Sequence, residues 1–506
     1  MVSIAGGRKG VEKESLRVDA SGHLSMRPHP QSLGSPLTNP FITTDFSEAL
    51  LEFVTPAYAN TWETLRAICE IHQFTYANLG DELLWPASMP CQIPEDPEIP
   101  LARYGSSNVG QMKTVYRRGL GHRYGRHMQT IAGVHFNYSL PTTFWPMYQQ
   151  LLGDQSDEGS FRSTHYMALV RNFRRFGWIL LYLFGASPAL CKSFSGDDQL
   201  DMPSLNDDTY FEPFGTSLRM SDLGYNNQNQ ARLKIGLNSV DDYIRDLSAA
   251  IETPEPSYEQ IGVKVDGEYR QLNANLLQIE NEYYSSIRPK RVAHSGERPT
   301  SALRRGGVEY VEIRALDLNV FDPCGINQNT MRFIEAFLVY CLLEASPMLD
   351  DEGIREATSN QLRTAKSGRD PSLLLHRNGE AIKLTDWAQQ ILASVLAVAE
   401  LIDRDDRGQS YGAATQAMQE LVTDAERTPS ARVLDELRRA DCSFFEFALS
   451  AASGHSEYFR SIEPLQPERE QMFEQAATDS IEKQKSIEAT DTLSFDEYLE
   501  QYFATD

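Results

Sequence analysis

A chain of 506 residues is long enough to bury a sizeable core and to divide into two to four domains. With 41% apolar and 23% charged residues it has the balance of a globular enzyme. Its formal net charge of -24 argues against nucleic acid as a main partner, because phosphate backbones are held by basic surfaces. A small phosphate ligand in a local basic pocket remains compatible with that charge.

The opening residues MVSIAGGRKG lack the apolar stretch of a signal peptide. GVEKESLRV reads as a strand, with Glu12 and Glu14 two apart and therefore on one face. FSEALLEFVTP reads as a second strand. Asp45 and Glu52 are an odd number of residues apart, so both reach one site only across a bulge or break. TWETLRAICEIHQFTYANLG reads as a helix, opening at cap candidates Asn60 and Thr61 and stopping at Gly80. In the strand AGVHFNYSLP, Val134, Phe136 and Tyr138 point one way and His135, Asn137 and Ser139 the other. Residues 161–184 look helical. The most apolar run, FGWILLYLFGASPALC, is too short for a bilayer and contains Gly185 and Pro188, so it reads as a buried helix end and no membrane partner is expected.

A polar, turn-rich stretch covers 192–230, and a helix is expected near 239–251. Residues 287–307 read as a basic loop holding Arg288, Lys290, Arg291, Arg298, Arg304 and Arg305. It runs into the strand VEYVEIRALD, where Tyr310, Glu312 and Arg314 share one face and Val311, Ile313 and Ala315 the other. From 327 onward the pattern is almost all helical, with segments at 328–345, 385–402, 410–424, 430–439 and 441–452, then a peripheral acidic tail after 463. Strands first and helices last indicate an α+β fold. The cysteines at 69, 91, 191, 324, 341 and 442 form no CxxC pair. Neither a zinc site nor a disulfide framework is expected; Cys69 and Cys341 read as core thiols, and the compartment as reducing cytoplasm.

Polar-face strands recur, and a sheet face of carboxylates, an imidazole and an arginine is costly to bury unpaired. Such faces are either solvated or line a cavity that holds divalent cations and phosphates. The basic stretch can likewise be a solvated loop or a triphosphate clamp, with Arg288, Lys290, Arg291 and Arg304 as its nucleotide contacts. No P-loop, GxGxxG or GxSxG signature is present, so any nucleotide site is of another type.

The segments GVEKESLRV, ITTDFSEALLEFVTP, DELLWPASMPC, YGSSNVGQMKTVYRRGL, RYGRHMQTIAGVHFNYSLP, YLFGASPALC, SLRMSDLGYNNQNQ, LQIENEYYSSIRPKR and RRGGVEYVEIRALDLNVFDP together resemble the proteobacterial glutamate–cysteine ligase (γ-glutamylcysteine synthetase) family. The resemblance runs from about residue 10 to about 345 and more loosely beyond. It implies a fold like glutamine synthetase and the guanidino kinases: a curved antiparallel sheet forms an active-site funnel, with helices on its outer face. The catalytic region is then 1–345, with a mainly helical region at 346–506 packed on it.

The implied reaction joins the γ-carboxyl of L-glutamate to the amine of L-cysteine with ATP as co-substrate, the first step of glutathione synthesis. A ligase acting on another amine, or a non-catalytic ligand-binding homologue, is the alternative. By motif, Glu12, Asp45, Glu52, His135 and Glu312 would hold two or three Mg²⁺ ions, or Mn²⁺. Glu312 and Arg314 would be catalytic, Arg314 contacting the transferred phosphoryl group. Arg117 and Arg219 would hold substrate carboxylates, Asn137 would support the site, and Phe46, Tyr116, Leu120, Tyr225 and Tyr284 would shape the cysteine pocket. A monomer with glutathione as feedback inhibitor is implied. Family members carry a helix before the first catalytic strand, whereas eleven residues precede Glu12 here. The length leaves no room for an appended ATP-grasp domain, so the reaction is expected to stop at the dipeptide.

Overall fold

The structure, a computed structural model, describes residues 4–195, 200–224, 233–294, 296–405, 408 and 410–504. Its central sheet has seven strands: β1 (Arg8–Val18), β2 (Ile42–Thr44), β3 (Leu50–Val54), β4 (Leu83–Leu84), β5 (Val134–Ser139), β6 (Ile287–Lys290) and β7 (Tyr310–Leu316). The order across the sheet is β6-β7-β5-β1-β3-β2, with β4 also beside β1, and all neighbours are antiparallel. Alternation decides the faces. Val11, Val134, Phe136, Tyr138, Val311 and Ile313 are fully buried on one of them, in a core shared with α3 (Glu158–Phe176), α4 (Trp178–Phe184) and α5 (Gln328–Leu343). Of two preceding helices, α1 (Thr61–Asn78) packs on β1 and β3, and α2 (Asn108–Tyr124) follows it in the chain.

The C-terminal helices α6 (Leu384–Asp405) and α7 (Ser410–Thr423) pack on each other and on α5. One hydrophobic cluster runs from Ile4 to Ala448, so the regions 1–345 and 346–506 share a core. A buried polar knot ties them as well. Glu335 of α5 accepts from Lys9 Nζ of β1 at 2.6 Å and from the Tyr411 hydroxyl of α7 at 2.7 Å. Removing one partner of such a buried pair would leave a stranded charge, at a cost of about 3–5 kcal/mol.

Several elements differ from the sequence expectation. Residues 46–49 are a chain reversal, and the second long strand begins only at Leu50. The basic stretch is not one loop, because 287–290 pair with β7 and Pro299–Gly306 is a helix. The helical C-terminal part also contains a hairpin, Leu374–Arg377 with Glu380–Lys383. The tail after 463 is not peripheral. Its helices α8 (Pro467–Thr490) and α9 (Phe495–Ala504) return to the sheet half, where Ser480 Oγ accepts from Ser35 N at 2.8 Å and Leu493 O from Asn108 Nδ2 at 3.0 Å. Cys91 and Cys191 form a disulfide with Cα atoms 5.5 Å apart, whereas no disulfide framework was expected from the sequence. A spacing of 100 residues gives no local sign of such a pair. Cys341 is a core thiol as expected, whereas Cys69 is only half-buried. Among the described residues, no helix is long and apolar enough to cross a membrane.

Candidate active site

The second face of the sheet is built by register. Glu12 lies opposite His135, Glu14 opposite Glu52, and Glu312 is flanked by Asn137 on one side and Arg288 on the other. Because these positions alternate with the core residues, four acids, an imidazole and several cations are brought together on the floor of one cavity of about 980 Å³. Asp45 joins them from the end of β2. The reversal at 46–49 is the break its odd spacing from Glu52 required, and Asp45 N donates to Leu50 O at 3.0 Å.

The carboxylates are oriented by their neighbours. Asn137 Nδ2 donates to Glu12 Oε1 at 2.8 Å, His135 Nδ1 lies 3.2 Å from Glu12 Oε2, and Gly133 N donates to Glu14 Oε2 at 2.7 Å. Ligand atoms of Glu12, His135 and Glu312 all lie within 4.8 Å of one another. His135 Nε2 and Glu312 Oε2 are buried and make no hydrogen bond. Buried polar atoms that make no hydrogen bond are expensive, and the convergence of two carboxylates with an imidazole gives a donor set that suits a divalent cation such as Mg²⁺ or Mn²⁺.

The electrostatics fit the same occupant. Burial pushes Glu52 well above the usual carboxylate range, and the charges of Glu12, Asp45 and Glu14 push it further. Burial also raises Glu14, against the pull of His135. For Glu12, burial is the largest single influence and pushes upward, but the His135 hydrogen bond together with the charges of His135 and Lys290 brings its carboxyl below the ordinary value. Glu312 is buried too, yet Lys290, Arg314 and Arg288 hold it far below that range. Its oxygens lie 3.4 Å from Lys290 Nζ, 3.5 Å from Arg314 Nη1 and 4.0 Å from Arg288 Nη1. Arg288 Nε and Arg314 Nε are also buried without a hydrogen-bond partner. Cationic groups next to clustered acids are the elements of a metal–polyphosphate site.

Of the other residues singled out from the sequence, Tyr116, Arg117, Leu120 and Tyr284 line the cavity. Arg117 approaches Asp45, with Nη2 3.6 Å from Oδ1, and its Nε donates to Asp45 O. Asn137 acts through Glu12. Phe46 is buried outside the cavity lining. Arg219 lies behind β7, where its Nη2 donates to Arg314 O at 3.0 Å and its Nη1 is 3.9 Å from Asp317. Tyr225 falls outside the described residues.

The four expected nucleotide contacts separate. Arg288 and Lys290, two apart on β6, face the cavity, but Arg291 and Arg304 do not. Arg291 is turned away because its guanidinium donates to Gly306 O and, at 2.6 Å, to Gly307 O, and Arg304 is exposed on the helix that follows. Arg298 and Arg305 are taken up by Glu280 at 3.0 Å and Glu297 at 2.8 Å.

Glu14, Lys113, Tyr498 and Tyr502 are among the cavity residues to which sequence reasoning gave no role. Glu14 could have been included from its two-residue spacing from Glu12. Lys113 belongs to α2, a helix the sequence reading did not identify. Tyr498 and Tyr502 come from the tail.

Comparisons with known proteins agree along the chain. Residues 2–364 match the family Glutamate-cysteine ligase. A protein named glutamate–cysteine ligase from Alcanivorax borkumensis is 49% identical, covering 99% of this chain and 96% of the relative. One of the same name from Pseudomonas putida is 48% identical, covering 98% and 94%. The crystal structure of glutamate–cysteine ligase from Francisella tularensis in complex with AMP superposes with a TM-score of 0.93 at 36% identity, covering 99% of this chain and 98% of that one. The chain belongs to the glutamate–cysteine ligase family.

Proposed function

We propose that this cavity joins the γ-carboxyl of L-glutamate to the amine of L-cysteine, converting ATP to ADP and phosphate. The observation that carries the reading is the convergence of Glu12, Glu52, His135 and Glu312 with Arg288, Lys290 and Arg314 on a single sheet face. A carboxylate and an amine do not condense in water, so the carboxylate is first activated. The γ-carboxylate oxygen attacks the γ-phosphorus, the bond to the bridging oxygen breaks, and ADP leaves. The cysteine nitrogen then attacks the acyl carbon of γ-glutamyl phosphate, phosphate departs with the bonding pair, and the nitrogen loses a proton.

Each step sets demands that residues of this chain meet. Two or three Mg²⁺ ions, held by Glu12, Asp45, Glu52, His135 and Glu312, would supply charge neutralisation and Lewis-acid polarisation of the triphosphate. Arg288 and Lys290 bind phosphate oxygens. Arg314 donates to the phosphoryl group in flight, where charge spreads over its equatorial oxygens. Arg117, on the Asp45 side, holds a substrate carboxylate, and Arg219 braces the backbone of Arg314. Tyr116, Leu120 and Tyr284 shield the acyl phosphate from water and shape the thiol pocket. Such a pocket selects weakly, since one methyl or hydroxyl is worth only ~1–3 kcal/mol there. Glutathione carries the same γ-glutamylcysteine unit and would compete for these subsites.

The test is ADP release by the purified protein with glutamate, ATP, Mg²⁺ and a panel of amines. Fastest turnover with cysteine is the expected result. A preference for another amine would reassign the acceptor, and no turnover with any amine would refute the ligase reading.

A further inference from the structure

Behind the sheet, on the face away from the cavity, lies a group of nucleophilic and basic side chains that the ligase chemistry does not use. Lys13 stands between Glu12 and Glu14 on β1 and therefore points the other way. It is buried, and its partner is an imidazole instead of a carboxylate, with Nζ 2.7 Å from His72 Nε2. His72 Nδ1 lies 2.7 Å from Ile68 O, to which it can only donate, so Nε2 accepts from Lys13. Two cysteines close on this pair. Cys69 is three residues before His72, on the same side of α1. Cys324 belongs to the segment between β7 and α5, where a Cβ on the adjacent Gly325 would lie 3.0 Å from Lys13 Cε. Both cysteines pack in one hydrophobic cluster with Phe53, Ile68, Tyr76 and Phe459.

We propose that Cys69 and Cys324 form an oxidation-sensitive dithiol, which hydroperoxides convert to a disulfide joining α1 to the segment between β7 and α5. Cys69 is the attacking thiol, because it is half-buried where Cys324 is buried. The Cys324 thiol donates to Cys69 and draws it below the usual thiol range, whereas the same partner and burial hold Cys324 well above it. The nearby charge of Lys13 favours anionic sulfur in this pocket. The other two free thiols lack this setting. Burial pushes Cys341 well up inside α5. Cys442, half-buried like Cys69, is raised by burial and by the charge of Glu446.

The chemistry balances in two steps. The Cys69 sulfur attacks the outer oxygen of the hydroperoxide, the O–O bond breaks, and an alcohol, or water from hydrogen peroxide, leaves with the thiol proton. The Cys324 sulfur then attacks the sulfenic sulfur of Cys69, the S–O bond breaks, and hydroxide leaves as water with the Cys324 proton. Two thiols are oxidised by two electrons, and the hydroperoxide is reduced. A small thiol reopens the bond by exchange.

The experiment treats the purified full-length protein with tert-butyl hydroperoxide, blocks the remaining thiols with iodoacetamide and maps the peptides by mass spectrometry. The expected result is a linked Cys69–Cys324 peptide that dithiothreitol removes, with Cys69 consumed on the order of tenfold faster than Cys442. In Cys324→Ser, dimedone captures Cys69 as the sulfenic acid. In Cys69→Ser, Cys324 stays reduced. Full alkylation of both cysteines after the oxidant would overturn the proposal. So would Cys442 reacting as fast as Cys69, or a wild-type Cys69 that stops at the sulfenic acid and never links to Cys324.

Discussion

Glu312→Gln is expected to remove nearly all ADP release that depends on glutamate and cysteine, by about 10³-fold or more, with the melting transition kept. Glu312 occupies the junction of the site. It is the β7 member of the Glu12–His135–Glu312 cluster and the carboxylate nearest to Lys290, Arg288 and Arg314. The amide has the same shape and deletes one negative charge. Removing the carboxylate from a buried pair would ordinarily be destabilising. Here Lys290 and Arg314 keep side-chain exposures of 28% and 22% toward the cavity, so water and phosphate can take over the lost contact. The check pairs a coupled ADP-release assay with thermal melting. Wild-type rates at saturating Mg²⁺ would remove Glu312 from the mechanism.

Arg314→Lys is expected to lower kcat on the order of 10²-fold, with a much smaller change in KM for ATP. Lysine preserves the charge but not the planar fork that donates two parallel hydrogen bonds. Arg314 is two residues from Glu312 on the same strand face, and its backbone carbonyl is braced by Arg219. Its guanidinium is therefore positioned by the sheet and not by a mobile loop, the arrangement needed for a donor that acts mainly in the transition state. Steady-state kinetics with ATP varied at saturating glutamate and cysteine separates the two parameters. An equal rise in KM with kcat unchanged would make Arg314 a ground-state phosphate contact.

Much of this site was legible because strands carry their geometry in the sequence. A period of two placed Glu12, His135, Asn137, Glu312 and Arg314 on polar faces and Val134, Phe136, Val311 and Ile313 on buried ones. Which strands become neighbours is a long-range matter, and only the resemblance of the motifs brought those faces to one cavity. The helix α2 was not legible for a related reason. It lines a polar cavity with Lys113, Tyr116 and Arg117 and contains Gly119 and Gly121, so it lacks the apolar stripe that marks a core-facing helix. Gly119 has its own long-range cause: a Cβ there would lie 2.2 Å from Gln278 Oε1. The tail misled by its charge. An acidic composition describes the solvent side of α8 and α9, while the contacts that return α9 to the cavity rest on Leu499, Tyr498 and Tyr502. The basic stretch overstated the phosphate site because arginines also close helix ends and pair with Glu280 and Glu297.

Manganese offers the most direct measurement. Crystals grown with ADP and Mn²⁺, examined by anomalous scattering, are expected to show ions bound between Glu12, Glu52, His135 and Glu312, with the diphosphate against Arg288 and Lys290. Manganese and nucleotide found elsewhere, with these four side chains left without an ion, would contradict the account.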